Sequence, residues 1–387
     1  MTTLPRELSA AEVQLIAASN RFGLRLFREV AGATRDTLPN LFMSPLSVTM
    51  ALGVLYTGAA GDTSAAMRRT LELDRLTPEE VSRSYHDLIQ MLRGLDHGVR
   101  FSLGNSIWCR QGISFTRSFL EASRTYFDAR VEALDFTTPA AAGVINDWVS
   151  RATEGRIAEI VESPIPPLAW MYLLNAIYFK GDWTAQFDPA LTHSAPFWRA
   201  DGSSTTVRMM SHGWPIRLRM NDDGNPLVVD LPYGGRAFSM TIALPREPGG
   251  ISSLVAGLTA ERWNAWMGGL QPDMREARLP KFKLENELIL NDALGALGMG
   301  IAFELGRADF GHMRPERDVA VTEVKHKSYV DVNEEGTAAA AATSVMYVGA
   351  AEPVRPVVVD RPFVFAIRDN LSGTILFLGR VLDPAAE

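Results

Sequence analysis

The chain has 387 residues, 47% apolar and 21% charged, with a formal net charge of −7. That composition excludes a chain disordered throughout, and the interspersed charges give no basic stripe for nucleic acid. Cys109 is the one cysteine, which excludes an intramolecular disulfide and any multi-cysteine metal site.

The opening residues, MTTLPRELSAAEVQL, lack the basic and apolar regions of a secretory leader: either there was none or it was removed. Ser9 and Glu12 form an S-x-x-E capping box ahead of Val13, Ile16, Asn20, Phe27 and Val30, a largely apolar stripe at helical spacing. Ser44 followed by Pro45 opens a second, apolar helix that runs out at Gly58 to Gly61. Its most apolar run, residues 48–60, is shorter than the roughly 20 residues of a membrane span and predicts a buried helix. Thr77, Pro78 and Glu80 repeat both capping devices before Val81, His86, Leu88, Ile89 and Leu92. Further helical patterns lie at about 116–127, 139–151, 260–270 and 291–299. Strand patterns lie at 171–179, 207–220, 226–233, 237–244, 276–284 and 362–368, and Asn370 to Gly373 (NLSG) reads as a tight hairpin leading into ILFLGRV. Length alone suggests roughly two to three domains. With no long linker and no repeat, the reading is one α+β domain, helices mostly first and strands mostly later.

Catalytic motifs are missing. No G-x-S-x-G, H-E-x-x-H or Walker loop occurs, and GALGMG (residues 295–300) has the wrong glycine order and sits in a helical pattern, so it reads as helix packing and a helix end. His86, His97, His193, His212, His312 and His326 show no metal-ligand spacing. Asp74, Asp96, Glu79 with Glu80, and Glu334 with Glu335 read as solvated faces. A hydrolase triad assembled in space stays as a distant alternative.

Residues 332–354, VNEEGTAAAAATSVMYVGAAEPV, hold five consecutive alanines between two extended signals, KSYVDV upstream and a valine- and proline-rich stretch downstream. Alanine favours helix, and the flanks do not. Six blocks in order, NLFMSPLSVTMAL (40–52), INDWVSRATEGRI (145–157), LLNAIYFKGDW (173–183), LPKFKLE (279–285), HKSYVDVNEEGTAAAAAT (326–343) and RPFVFAIRDNLSGTILFLGRV (361–381), together make the chain resemble the serpin family. The resemblance spans nearly the whole length.

It implies three β-sheets, eight to nine helices and an exposed reactive loop at about 336–356, in a single domain of residues 1–387. It further implies a suicide inhibitor of serine proteases, not an enzyme. The loop's hinge would be Glu334, Glu335, Gly336, Thr337, Ala338, Ala339, Ala340, Ala341, Ala342 and Thr343, with Ala338 where the family usually has glutamate. Family spacing puts the cleaved bond at Ala350–Ala351, with Gly349 as the alternative, and the small residues there imply an elastase-like or subtilisin-like target with a small specificity pocket. Ser44, Ser47, Asn175 and His326 match the family's shutter beneath the sheet; Trp183, Lys281 and Glu334 match the breach at its top. The resemblance implies a monomer with no metal or other cofactor, exported or extracellular, although the start of the chain leaves a cytoplasmic location open, and the alanine-rich composition suits a bacterium. A non-inhibitory binding protein or chaperone of the same fold is the alternative.

Overall fold

The Ser9 and Glu12 capping box forms in the computed structural model, which describes residues 3–35, 37–167, 169–337 and 355–386. Ser9 Oγ accepts from the Glu12 N–H at 3.2 Å and the Glu12 carboxylate accepts from the Ser9 N–H at 2.8 Å, starting α1 (Ala10–Ala33). The buried face of α1 runs through Leu15, Ile16, Phe22, Leu26 and Phe27, and Val13 is 52% exposed. Glu12 takes the inward place in that first turn because its carboxylate serves both Ser9 and Arg6. After β1 (Asn40–Met43), Ser44 caps α2 (Pro45–Gly58), and a further helix, α3 (Gly61–Thr70), restarts where the sequence reading ended one. Thr77 and Glu80 close the second capping box on α4 (Pro78–Gly94).

The middle of the chain alternates. It contains β2 (Val99–Arg110), α5 (Arg117–Phe127), β3 (Arg130–Leu134), α6 (Pro139–Ala152), β4 (Met171–Asp182), β5 (His193–Trp198), β6 (Ser204–Ser211), β7 (Ile216–Asn221), β8 (Leu227–Tyr233) and β9 (Phe238–Leu244). Then come α7 (Ile251–Ala256), α8 (Ala260–Gly268), β10 (Gln271–Arg275), β11 (Ala277–Pro280), β12 (Phe282–Ile289), α9 (Asn291–Leu294), β13 (Glu323–Val332), β14 (Gly336–Thr337), β15 (Val357–Val358), β16 (Phe363–Asp369) and β17 (Ile375–Val381).

Among the described residues these nine helices surround three sheets. The first runs β1-β17-β16-β9-β8-β7-β10, the second β15-β11-β6-β5, and the third β12-β13-β4-β2-β3 with β14 also on β4. Two strands read as continuous change sheets midway. Residues 207–220 divide between β6 and β7 because Gly213, at φ 72°, and Pro215 break the ladder; residues 276–284 divide between β11 and β12 around Pro280 and Lys281. The helix expected at 291–299 shortens to α9, with Gly298 at φ 114° ending the regular turn.

The sheet that matters most is the third. Its strand β4 is buried on both faces: Leu173, Ile177 and Phe179 join the main core, while Tyr172, Leu174, Ala176 and Tyr178 join a second cluster with Ile145 and Val149 of α6. Neighbouring residues on a strand point to opposite faces, so β4 separates the two clusters residue by residue.

Candidate functional site

Strands β4 and β13 lie side by side as a parallel pair, matched from Glu323↔Tyr172 to Tyr329↔Tyr178. On their outer sides both are held antiparallel, β13 by β12 and β4 by β2. Pairing of β13 with β4 ends at Tyr178, and three residues later β4 pairs antiparallel with the returning chain, Gly336↔Asp182 and Thr337↔Gly181. The reversal between β13 and β14 is built by Asn333, whose side chain accepts from the N–H of Glu335 at 3.1 Å and of Gly336 at 3.3 Å. Gly336 sits at φ 148°, and a Cβ there would run into the Gly181 carbonyl oxygen and the Asp182 Cα. Only glycine fits that approach.

Around this mouth the three residues assigned to the breach come together. Lys281 Nζ lies 2.7 Å from Glu334 Oε2, and Thr192 Oγ1 donates to Glu334 Oε1 at 2.7 Å. Glu334 is therefore no solvated face: it is 9% exposed, and its carbonyl takes the Phe187 N–H at 2.9 Å. Burial works to raise its pKa, but the hydrogen bonds from Lys281 and Thr192 outweigh it and hold the carboxyl below its ordinary value. Trp183 donates its Nε1–H to Asn333 O at 2.9 Å and its backbone N–H to Glu335 O at 2.9 Å, and stacks on Tyr233 at 4.4 Å. Asp96 departs from its reading in the same way. It is buried beside the mouth, with its carboxylate accepting from the N–H of Gly98 and of Gly235.

Two further groups belong here that the sequence reading did not select. Asp182, the partner of Gly336, is pushed by burial above the ordinary carboxylate range against the pull of Lys180, and its Oδ1 finds no hydrogen-bond partner among the described residues. His212 lies between Ala277 O at 3.2 Å and Ala185 O at 3.0 Å. A neutral imidazole can donate to only one of these carbonyls.

Lower in the same gap the four shutter residues also meet. His326 on β13 is registered with Asn175 on β4, and its Nδ1 lies 2.6 Å from Asn175 Oδ1. Its Nε2 accepts the Ser44 N–H at 3.0 Å, so Nδ1 carries the ring proton. Asn175 Nδ2 donates to Ser47 Oγ at 2.5 Å and to Asn105 Oδ1 at 2.7 Å, while Ser44 Oγ donates to Leu376 O at 2.6 Å. The cap hydroxyl of α2, Ser44, and the Ser47 hydroxyl in its first turn thus sit beneath the parallel pair. Burial pushes the His326 pKa down to about 3. Asn105, on the overlooked strand β2, completes the cluster; only an amide side chain just ahead of the apolar Ile107, Trp108 and Cys109 signals it.

The hinge residues Ala338, Ala339, Ala340, Ala341, Ala342 and Thr343 and the bond residues Gly349, Ala350 and Ala351 lie outside the described residues. Among the described residues no group of three or more His, Cys, Asp or Glu is placed to hold a metal ion, and no helix is long and apolar enough to cross a membrane.

The model of the family described as Serpin (serine protease inhibitor) matches residues 17–384. Iripin-2 of Ixodes ricinus is 35% identical over 377 residues, covering 96% of this chain and 94% of that protein. The leukocyte elastase inhibitor of Homo sapiens is 34% identical over 381 residues, covering 96% of this chain and all of that one. Among solved structures, the thermophilic serpin tengpin in its native state is similar with a TM-score of 0.87 and 28% identity, over 98% of this chain and 95% of that chain.

Proposed function

The chain belongs to the serpin family, whose members are described as serine protease inhibitors and not as enzymes with turnover, and from that premise we propose that it is itself an inhibitor acting as a suicide substrate. A serine protease attacks near Ala350–Ala351 and forms its acyl-enzyme; the loop then enters the gap between β13 and β4 before water can release it. Loop insertion of this kind adds a strand to a sheet, with main-chain hydrogen bonds supplying the affinity and side-chain size the selectivity. Here it acquires residues. The observation that carries the reading is the seat of Gly336 and Thr337, antiparallel on β4 at the end of its parallel pairing.

Continuing that register down β4 would bring Thr337, Ala339, Ala341 and Thr343 opposite Gly181, Phe179, Ile177 and Asn175, on the side of the main core. Ala338, Ala340, Ala342 and Ser344 would fall opposite Lys180, Tyr178, Ala176 and Leu174, beneath α6. Both faces are already packed, so every inserted side chain must be small. Alanine also loses almost no side-chain entropy, about 0 kcal/mol against ~1.5 to 2 for lysine or arginine.

Insertion exchanges one parallel ladder for two antiparallel ones, the better paired arrangement. Each added backbone hydrogen bond contributes about 0.5–1.5 kcal/mol net, so a strand matching the 12 residues of β4 gains on the order of 10 kcal/mol. A strand of that size carries an attached protease far from its starting end, at ~3.3 Å per residue. The small residues of VGAAE (348–352) favour an elastase-like or subtilisin-like enzyme acting on a monomeric, single-domain inhibitor.

Incubation with pancreatic elastase and with subtilisin, followed by denaturing electrophoresis, tests this. The expected product is a covalent complex, with the released C-terminal peptide beginning at Ala351. Cleavage with no complex would instead assign the chain to the non-inhibitory binding proteins of this fold.

A further inference from the structure

The turn joining β8 to β9 braces the mouth of the gap: Gly234 donates its N–H to Asp182 O at 2.7 Å, and Thr184 Oγ1 donates to Gly234 O at 2.7 Å. The same turn ends in Arg236, which faces an open cavity of about 460 Å³ on the seven-stranded sheet. Arg217 and Arg219, two apart on β7 and therefore on one face of it, line the same cavity. Pro232, Pro272 and Leu371 supply apolar wall.

All three arginines are exposed, and among the described residues none takes part in an ion pair. The acidic residue in the wall, Asp230, is 2% exposed and already matched: Oδ1 accepts from Thr241 Oγ1 at 2.5 Å and Oδ2 from Arg368 Nη2 at 2.8 Å. Several arginines elsewhere face carboxylates, as in Arg6 with Glu12, Arg199 with Asp383 and Arg314 with Asp318. An anion seated among three guanidinium groups with no ion-pair partner of their own would be attracted by all of them.

Their supports are rigid. Arg236 is held at φ 76°, where glycine or asparagine would be easier, by its N–H donating to Tyr233 O at 2.8 Å and by Asn370 Nδ2 donating to its carbonyl at 3.0 Å. Arg219 is tethered by Nη2 donating to Leu270 O at 3.3 Å, and β7 is paired on both sides, with β8 and β10. The volume lies within the range of small-molecule sites, and the guanidinium fork suits carboxylate, sulfate or phosphate oxygens.

We propose that this cavity binds a small organic anion, its apolar body resting on Pro232, Pro272 and Leu371 and its acidic oxygens held by Arg217, Arg219 and Arg236. The proposal is independent of protease inhibition. Calorimetric titration of the full chain with a naphthalene disulfonate, and with the corresponding uncharged naphthalene diol, tests it.

The disulfonate should bind and raise the melting midpoint, with an affinity that falls as salt is added, and the diol should not bind. The double variant Arg217→Gln with Arg219→Gln should weaken disulfonate binding by about tenfold or more, and the corresponding lysine double variant by less. Arg236→Gly relaxes the backbone at φ 76°, so it should keep or raise the melting midpoint while weakening binding severalfold. Asn264→Ala, in the separate groove between α1 and α8, should leave binding unchanged. Equal binding of the diol, no binding of the disulfonate, unaltered binding to the glutamine double variant, or loss in the Asn264 variant would each overturn the assignment.

Discussion

Two polar clusters hold the same pair of strands, and they do it by different physics. At mid-gap, Ser44, Ser47, Asn105, Asn175 and His326 are each 1% exposed or less, uncharged, and joined by short hydrogen bonds. At the upper mouth, Lys281 and Glu334 meet as ions, with the lysine side chain 39% exposed. Water can stand in for a contact at the mouth but not for one at mid-gap, where an orphaned group bears its full desolvation cost. The contrast fits a gap that opens first where it is wet and then meets resistance where it is dry.

The largest effect should come from charge placed in the path between the two clusters. Thr337→Arg would carry an unpaired guanidinium toward the core face of β4, and burial of such a charge costs several kcal/mol. The variant should be cleaved by its target and form little or no covalent complex; complex formation as complete as in the parent would show that position 337 does not enter.

Next is Asn175→Ala, which removes the group that serves Ser47, Asn105 and His326 together. Stability measured by urea unfolding should drop by about 3 kcal/mol or more, at about 1–3 for each of the three buried groups left unpaired. The contrast between the clusters fails if Lys281→Ala costs as much.

Acid should act through His326 in a defined window. The folded state keeps this imidazole neutral to about pH 3, whereas the unfolded chain takes up its proton near the ordinary value of 6.5. The unfolded state binds more protons between those values, so the contribution of His326 is complete above about 6.5 and is lost progressively as pH falls toward 3. Comparing unfolding of the parent and His326→Gln across that range isolates the term: the slope should flatten in the variant. An identical slope would remove His326 as its source.

Lys281→Ala should show the smallest equilibrium effect, about 0–1 kcal/mol, because the lysine end of the pair is open to water and Thr192 still serves the Glu334 carboxylate. Its consequence should be kinetic instead, a faster loss of inhibitory activity on warming, because the contact lies where opening begins.

How much of this was legible depended on range. Caps at Ser9, Ser44 and Thr77 are local signals and were read correctly, as was the Asn370 to Gly373 hairpin between β16 and β17. Strand β2 was missed because a strand covered on both faces shows no alternation, and Gly104, Asn105 and Ser106 interrupt its apolar run. The switches at residues 211–216 and 280–282 were missed because β propensity does not say which sheet a residue joins. Asp96 and Glu334 look solvent-facing in the sequence for one reason: the donors that make their burial tolerable, Gly235 for one and Lys281 with Thr192 for the other, lie far off along the chain. The site residues themselves came from the collinear blocks, and no local pattern could have joined His326 to Ser44 across 282 positions.

Asn333 has a consequence for timing. By accepting from two successive N–H groups it fixes the direction in which the chain returns, so under the proposed mechanism the loop would not have to search for the opening after cleavage. Its first register on β4 would already be set in the uncleaved molecule. What would remain resembles the closing of a zipper whose slider is already engaged, a search along one dimension at a rate set by how readily each successive rung of β4 lets go of β13.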